Sequence, residues 1–131
     1  GVSSAGDINN DGYDDIVIGA QNADPDGKTS AGQSYVVFGK DTGFGPSFEL
    51  SSLENGDGSA GFVINGIAAG DRFGRTVSSA GDLNNDGFDD ILIGAAYADP
   101  NGATNAGESY VIFGMETFNA VVELDALPGL A

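Results

Sequence analysis

The sequence contains no cysteine and no histidine. Without cysteine, the chain cannot form disulfides, use thiolate chemistry or build a cysteine-based zinc site. Without histidine, it lacks the usual general base and a common ligand of soft transition metals. The metal chemistry that remains is that of hard oxygen ligands.

Positive charge is also scarce, since 4 basic residues stand against 20 acidic ones and the formal net charge is -16. Nucleic acids and anionic membranes bind through clustered Lys and Arg, so both are predicted to be poor partners, whereas cations are good ones. No apolar run reaches membrane-spanning length, and the first residues lack the pattern of a targeting peptide. We therefore expect no membrane insertion.

What the chain does have is 40% apolar residues, eight Phe and 22 Gly in 131 residues. That length allows one domain with a real core and is too short for two independent domains of ordinary size. The apolar content argues against a disordered acidic chain, because such chains cannot bury enough surface to fold.

An internal repeat dominates the sequence. Residues 2–39 align without gaps on residues 77–114 at an offset of 75, and 28 of the 38 aligned positions are identical. Most differences are mild, such as Ile8 against Leu83 and Tyr13 against Phe88. The chain therefore contains two copies of one supersecondary unit.

Each copy has the pattern of short strands separated by Gly, Asn and Asp clusters, with no helical period. Three strands are predicted in each copy: residues 2–4, 15–19 and 34–38 in the first, and the equivalent residues 75–79, 90–94 and 109–113 in the second. A fourth strand, 61–66, follows the first copy only. The second strand of each copy is apolar enough to predict burial on both faces. We expect four aromatic residues to pack in the core and between blades: Tyr35, Phe38, Tyr110 and Phe113.

The predicted fold class is all-β, because a unit of three or four strands that recurs along a chain is typical of a β-propeller blade. We predict two four-stranded antiparallel blades of an incomplete ring. Residues 1–67 form a blade without the start of its first strand, and residues 68–131 form a blade without its fourth strand. Segments 48–50 and 121–124 follow the third strands and could supply a substitute. Either the chain is an excised piece, or several chains assemble and complete each other's blades.

An acidic loop joins the first two strands of each copy: residues 7–15, the first loop, and residues 82–90, the second loop. Oxygen-bearing side chains at loop positions 1, 3 and 5 can converge on one point, and Gly at position 6 permits the turn. A carbonyl at position 7 and an Asp at position 9 close the cage. The predicted ligands are Asp7, Asn9, Asp11, the Tyr13 carbonyl and Asp15, and Asp82, Asn84, Asp86, the Phe88 carbonyl and Asp90. Calcium accepts such a flexible oxygen shell better than magnesium does, so we predict two Ca²⁺ ions.

Two other kinds of loop resemble these segments. An EF-hand requires Glu at position 12, which is Ile18 or Ile93 here. Plain hairpin turns rich in Asn, Asp and Gly would explain one such loop, but two copies that keep every ligand while neighbouring positions change favour a metal site. Asp14 and Asp89, at position 8, are predicted to be solvated or to cap turns.

With these motifs the chain resembles the FG-GAP repeats of integrin α subunits and of related bacterial surface and secreted proteins. The motif appears as Phe73 and Gly74, then Val77, the second loop, and Gly94 with Ala95. The Pro of the family pattern is replaced by Ala96, and by Gln21 in the first copy. The Ala-Asp-Pro segments at 23–25 and 98–100 are typical of bacterial relatives.

The resemblance implies a seven-bladed propeller in the full fold, with calcium loops on the face opposite the ligand-binding loops, in an extracellular or cell-surface protein. We expect a calcium-stabilised structural and adhesion module, not an enzyme, whose opposite loops bind a protein or glycan. The alternatives are a scaffold that self-assembles from two-blade chains and, less favoured, part of a secreted hydrolase. The hydrolase would use Asp14 with Asp15, or Glu108 with Tyr110, as acid and base.

Overall fold

A computed structural model describes residues 1–126. The strands are β1 Val2–Gly6, β2 Asp15–Ala20, β3 Gln33–Val37, β4 Gly61–Asn65, β5 Phe73–Gly81, β6 Asp90–Ala95, β7 Glu108–Ile112 and β8 Val121–Glu123. One short helix, α1 Ser51–Glu54, and three 3-10 turns, Pro25–Gly27, Pro100–Gly102 and Leu124–Ala126, complete the elements. Within this part of the chain, no helix has the length and hydropathy needed to cross a membrane.

The strands form two sheets, in the orders β1-β2-β3-β4-β8 and β5-β6-β7, so the all-β prediction is confirmed. We call the first sheet blade 1 and the second sheet blade 2. The repeat extends to strand register: Ile16 lies opposite Val37 in blade 1, and Ile91 lies opposite Ile112 in blade 2. Strands β1 and β2 pack against β5, which sets the two blades face to face.

Strand β8 corrects one expectation. Segment 121–124 does not replace the fourth strand of its own blade; β8 pairs in parallel with β4 at the outer edge of blade 1, with Val63 opposite Val121. An unpaired edge of β4 supplies the backbone partners. Phe118 leads into this contact, with its ring stacked on Phe62 at 4.0 Å between centroids. Segment 48–50 forms no strand, and blade 2 has three strands within residues 1–126.

One hydrophobic cluster lies between the blades and under β8. Blade 1 contributes Val17, Val36 and Phe62, and blade 2 contributes Ile91 and Ile93, all with no exposed surface. Burial of such side chains stabilises a fold by about 1.5–3 kcal/mol each. Because the cluster draws on both sheets, neither blade has a complete core without the other.

The prediction that the second strands are buried on both faces is wrong. In β2, Val17 is fully buried but Ile16 is 42% exposed, and in β6, Ile91 is fully buried but Leu92 is 40% exposed. Phe113 is likewise exposed, at 37%, although it was expected to pack between blades. The reason is that each blade is covered on one side only, by the other blade.

Phe118 and Phe44 provide a matched test of this one-sided packing. They are counterparts in the repeat, because the first copy has one extra residue, Gly43, before Phe44. Phe118 is 8% exposed and Phe44 is 48% exposed. Phe118→Ala should lower the free energy of unfolding by about 3–5 kcal/mol, whereas Phe44→Ala should change it by no more than about 1 kcal/mol. Urea unfolding at low protein concentration measures both, and equal losses would contradict the packing described.

Candidate metal sites

The two acidic loops have the same backbone shape. Asn10 and Gly12 in the first loop adopt φ values of 56° and 90°, and Asn85 and Gly87 in the second adopt 57° and 90°. Asn tolerates the left-handed region better than most residues, and Gly enters it without strain. These residues let the chain curl, so that positions 1 and 5 approach each other.

In the first loop, the curl is held by the carboxylates expected to bind metal. The backbone N–H groups of Asp11 and Gly12 donate to Asp7 Oδ1 and Oδ2, at 3.0 and 2.9 Å. The Tyr13 N–H donates to Asp11 Oδ1 at 2.9 Å, and Asn9 Nδ2 donates to Asp11 Oδ2 at 3.1 Å. Four predicted ligand residues therefore belong to one hydrogen-bonded network.

The second loop repeats these bonds. The Asp86 and Gly87 N–H groups donate to Asp82 at 3.1 and 2.9 Å, and the Phe88 N–H donates to Asp86 at 3.1 Å. Asn84 Nδ2 donates to Asp86 Oδ2 at 3.1 Å. The bond from Gly87 is the main cause that lowers the pKa of Asp82, because it stabilises the ionised form.

Position 9 has a second role that the sequence did not reveal. Asp15 is 1% exposed, and its carboxylate accepts the N–H groups of Ile8 and Gly39, both at 2.9 Å. Asp90 is fully buried and accepts the N–H groups of Leu83 and Gly114, at 2.7 and 2.9 Å. Each carboxylate thus ties its loop to the end of the third strand. The available signal was the Gly that follows that strand in both copies.

The charge on Asp15 is costly where it lies. Burial raises the pKa of this carboxyl to about 6. The hydrogen bonds from Gly39 and Ile8 oppose the shift, whereas the negative charges of Asp11 and Asp7 add to it. At neutral pH the loop therefore contains a buried carboxylate facing two like charges, an environment that a nearby cation would stabilise.

The donor set fits a hard cation. Asn9 Oδ1 is buried and has no hydrogen-bond partner within residues 1–126, so this acceptor lacks compensation for its lost water. A carboxylate oxygen that accepts one hydrogen bond keeps a lone pair for a metal. In that same span, no three His, Cys, Asp or Glu side chains already converge as a metal centre. The carboxylates are turned toward backbone N–H groups, and binding would require them to close around the ion.

Asp89 joins the two loops across the blade boundary. Its Oδ2 accepts the Asp7 N–H at 2.9 Å, and its own N–H donates to the Asp7 carbonyl at 3.1 Å. Gly6 makes room for this contact, because a Cβ there would lie 2.4 Å from Asp89 Oδ2. Position 8 of the second loop thus caps position 1 of the first. Asp14, the counterpart of Asp89, is exposed.

The two residue pairs predicted as acid and base of a hydrolase differ in their arrangement. Asp14 is exposed, whereas both oxygens of the neighbouring Asp15 accept backbone hydrogen bonds. The Tyr110 hydroxyl donates to Glu108. Burial and the Glu108 carboxylate raise the pKa of Tyr110, so this phenol stays protonated as a donor.

Comparison with known families confirms the resemblance drawn from the motifs. The FG-GAP repeat model matches residues 2–37 and 73–112. These two segments contain both loops and all three strands that the copies share.

Relatives include two kinds of much longer protein. The chain is 33% identical over 111 residues to phosphatidylinositol-glycan-specific phospholipase D of Bos taurus, covering 85% of this chain and 12% of that protein. It is 34% identical over 123 residues to integrin alpha pat-2 of Caenorhabditis elegans, covering 87% of this chain and 9% of that protein. Integrin alpha-5 of Xenopus laevis is 35% identical over 98 residues, which is 72% of this chain and 8% of its own length. The chain therefore spans only a small part of each relative.

The Asp89 bridge should contribute to stability even without metal. Asp89→Ala leaves the partly buried Asp7 N–H without its acceptor and should lower the free energy of unfolding by about 1–3 kcal/mol. Asp14→Ala is the matched control and should change it little. Urea unfolding of both variants in chelator tests this, and equal values for the two would show that the bridge contributes nothing.

Proposed function

Because the chain belongs to the FG-GAP repeat family, we propose that its two loops bind one calcium ion each and that the ions stabilise a propeller module used for recognition. The observation that carries this proposal is the hydrogen-bond pattern of Asp, Asn and Asp side chains that both loops share. In the first loop, Asn9 Oδ1 is also buried and has no hydrogen-bond partner within residues 1–126. When bound, calcium supplies positive charge and accepts six to eight oxygen ligands at 2.3–2.6 Å.

The residues proposed to hold each ion are those at positions 1, 3, 5, 7 and 9 of the loop. In the first loop, Asp7 and Asp11 would offer carboxylate oxygens, Asn9 its free amide oxygen, and Tyr13 its carbonyl. Asp15 would add a carboxylate whose charge is unfavourable without a cation, since burial raises its pKa. Binding then favours the folded state, because the unfolded chain does not hold these oxygens together.

Stabilisation at the loops should reach both blades. Asp15 bonds to the end of β3 through Gly39, and Asp90 bonds in the same way through Gly114. The bridge between Asp89 and Asp7 then connects the two loops. Ions at these sites would hold the first three strands of each blade at one end and fasten the blades to each other.

We place recognition at the opposite end of the strands, where the β2–β3 loops lie. Asp24 and Asp99 organise these loops by accepting the N–H groups of Ser30 and Asn105, at 2.7 and 2.6 Å. In blade 1, a cleft of about 380 Å³ opens at this end. Its polar lining includes Asp24, Asp26, Gln33, Glu54, Asn55 and Asn65. Carboxylates and amides suit a hydroxyl-rich glycan or a basic peptide segment.

The setting we propose is extracellular or at the cell surface, where calcium is abundant enough for modules that bind it at roughly 10⁻⁴–10⁻³ M. The resemblance to integrin α repeats supports this setting. The module is proposed to have a structural and binding role. Phosphatidylinositol-glycan-specific phospholipase D, one of the relatives, is an enzyme by name, and this chain spans 12% of the bovine protein.

Calorimetry tests the metal proposal directly. Wild-type protein freed of metal should bind two calcium ions, and Asp11→Ala or Asp86→Ala should each reduce the count to one. Calcium at 100 times its dissociation constant should stabilise the fold by about 2.7 kcal/mol per site. Asp26→Ala, which removes an exposed acid outside the loops, serves as the charge-matched control and should still bind two.

No calcium binding at millimolar concentration would overturn this proposal. So would an Asp11→Ala, Asp86→Ala double variant that keeps the wild-type melting temperature in calcium. Binding that falls equally in the Asp26→Ala control would show a nonspecific effect of net charge.

Recognition is tested with arrays of glycans and of basic peptides. A ligand of the cleft should lose affinity when Asp26 and Asn55, both exposed on its wall, are changed together to Ala. It should be unaffected by Leu83→Ala at the other end of the strands. If Leu83→Ala weakened binding and the double change did not, the recognition surface would lie at the end of the strands where the acidic loops are.

A further inference from the structure

Among residues 1–126, two apolar faces remain uncovered. The leading face is the side of blade 1 turned away from blade 2, and the trailing face is the side of blade 2 turned away from blade 1. On the leading face lie Val2, Ile16, Ile18, Phe44 and Phe48. On the trailing face lie Leu83, Leu92, Val111 and Phe113. Exposed patches of large apolar side chains on a soluble domain commonly mark contact surfaces.

The leading-face residues Ile16, Ile18, Phe44 and Phe48 are the repeat counterparts of residues in the second half of the chain that are buried in the core. Ile16 and Phe44 are 42% and 48% exposed, whereas their counterparts Ile91 and Phe118 are 0% and 8% exposed. Ile18 and Phe48 correspond to Ile93 and Val122, which are also buried. The leading face therefore carries the same apolar contact set that blade 2 and the segment leading into β8 already use inside the chain.

The trailing face has the converse relation. Leu83 is 57% exposed, but its counterpart Ile8 lies fully buried under blade 2. Leu92 is 40% exposed, whereas its counterpart Val17 is fully buried. The trailing face therefore repeats the surface of blade 1 that receives blade 2.

The hydrogen-bonding residues of the boundary between the blades also have counterparts on the two exposed faces. Inside the chain, Asp89 accepts the Asp7 N–H, and the Met115 N–H donates to the Ile8 carbonyl at 3.1 Å. The counterparts on the leading side are the exposed Asp14 and Lys40, and those on the trailing side are the exposed Asp82 and Leu83. The leading and trailing faces therefore carry the counterparts of both partners in these two hydrogen bonds.

We infer that copies of this chain associate head to tail, with the leading face of one copy on the trailing face of the next. The leading face offers an apolar groove of about 230 Å³ lined by Ile16, Ile18, Val37, Phe44, Phe48 and Leu50. Leu92 of the second copy takes the place that Val17 occupies inside the chain and has this groove to enter. Asp14 of the first copy caps the Asp82 N–H of the second, as Asp89 caps Asp7.

The contact is heterologous, so it continues into a closed ring or an open filament and does not stop at a dimer. It is smaller than the internal boundary, because blade 2 has no fourth strand within residues 1–126 to receive Phe44 as Phe62 receives Phe118. Each copy also has a formal charge of -16, and the resulting repulsion weakens association unless salt screens it.

Sedimentation velocity at high ionic strength tests the inference with one variant for each face. Ile16→Asp disables the leading face and Leu92→Asp the trailing face, at positions exposed enough for the fold to tolerate the charge. Wild-type protein should grow with concentration beyond twice its 13.2 kDa mass. Each variant alone should remain at the monomer mass. Ile67→Asp, in the connection between β4 and β5, is the matched control and should assemble like the wild type.

The decisive sample is an equal mixture of the two variants. Ile16→Asp keeps a working trailing face and Leu92→Asp a working leading face, so the mixture should form a one-to-one complex of twice the monomer mass that cannot grow. Formation of this complex also shows that both variants are folded. A second pair, Val2→Asp with Phe113→Asp, repeats the test if either protein of the first pair has lost its fold by circular dichroism.

Three outcomes overturn the inference. A wild-type monomer at millimolar concentration in high salt assigns the faces to further blades of a longer chain. A dimer formed by either variant alone shows that like faces pair with each other. Folded variants of both pairs that stay monomeric when mixed show that the two faces do not complement each other.

Discussion

The face-to-face packing of the two blades is the interaction on which the other features of this structure depend. A sheet of three or four strands with apolar residues on both faces cannot bury them by itself. Packing β1 and β2 against β5 buries Val17 from one sheet and Ile91 from the other. The same packing brings Asp89 to the start of the first loop and Phe118 to Phe62. The candidate metal loops are neighbours because the sheets pack in this way.

In each loop, the residues that stabilise the local fold are also the residues that we propose as metal ligands. Their carboxylates first satisfy backbone N–H groups that the tight turns leave without partners. At position 9, the Asp joins the loop to the end of the third strand while remaining a proposed ligand. This double use has a cost, seen in the raised pKa of the buried Asp15. A calcium ion would stabilise this buried carboxylate, so the stability of the fold would depend on calcium.

The strands, the two loops and the family could be predicted from the sequence, because they rest on local patterns: apolar runs, turn residues and a repeat with 28 identities in 38 positions. The location of β8 could not, since segment 121–124 has strand-forming residues but nothing local that specifies an edge 58 residues away in the chain, as for Asn65 and Glu123. Nor could the different roles of Asp14 and Asp89. They are identical in sequence and differ only in whether a neighbouring blade lies beside them.

Each loop is proposed to be a calcium site built from positions 1, 3, 5, 7 and 9. A crystal structure of the protein grown in calcium, with anomalous scattering used to locate the ions, tests it most directly. We expect one ion in each loop, with side-chain oxygens of Asp7, Asn9, Asp11 and Asp15, or of their counterparts, at about 2.3–2.6 Å. Loops without bound ions at millimolar calcium, or ions held by Asp14 and Asp89 instead, would contradict it.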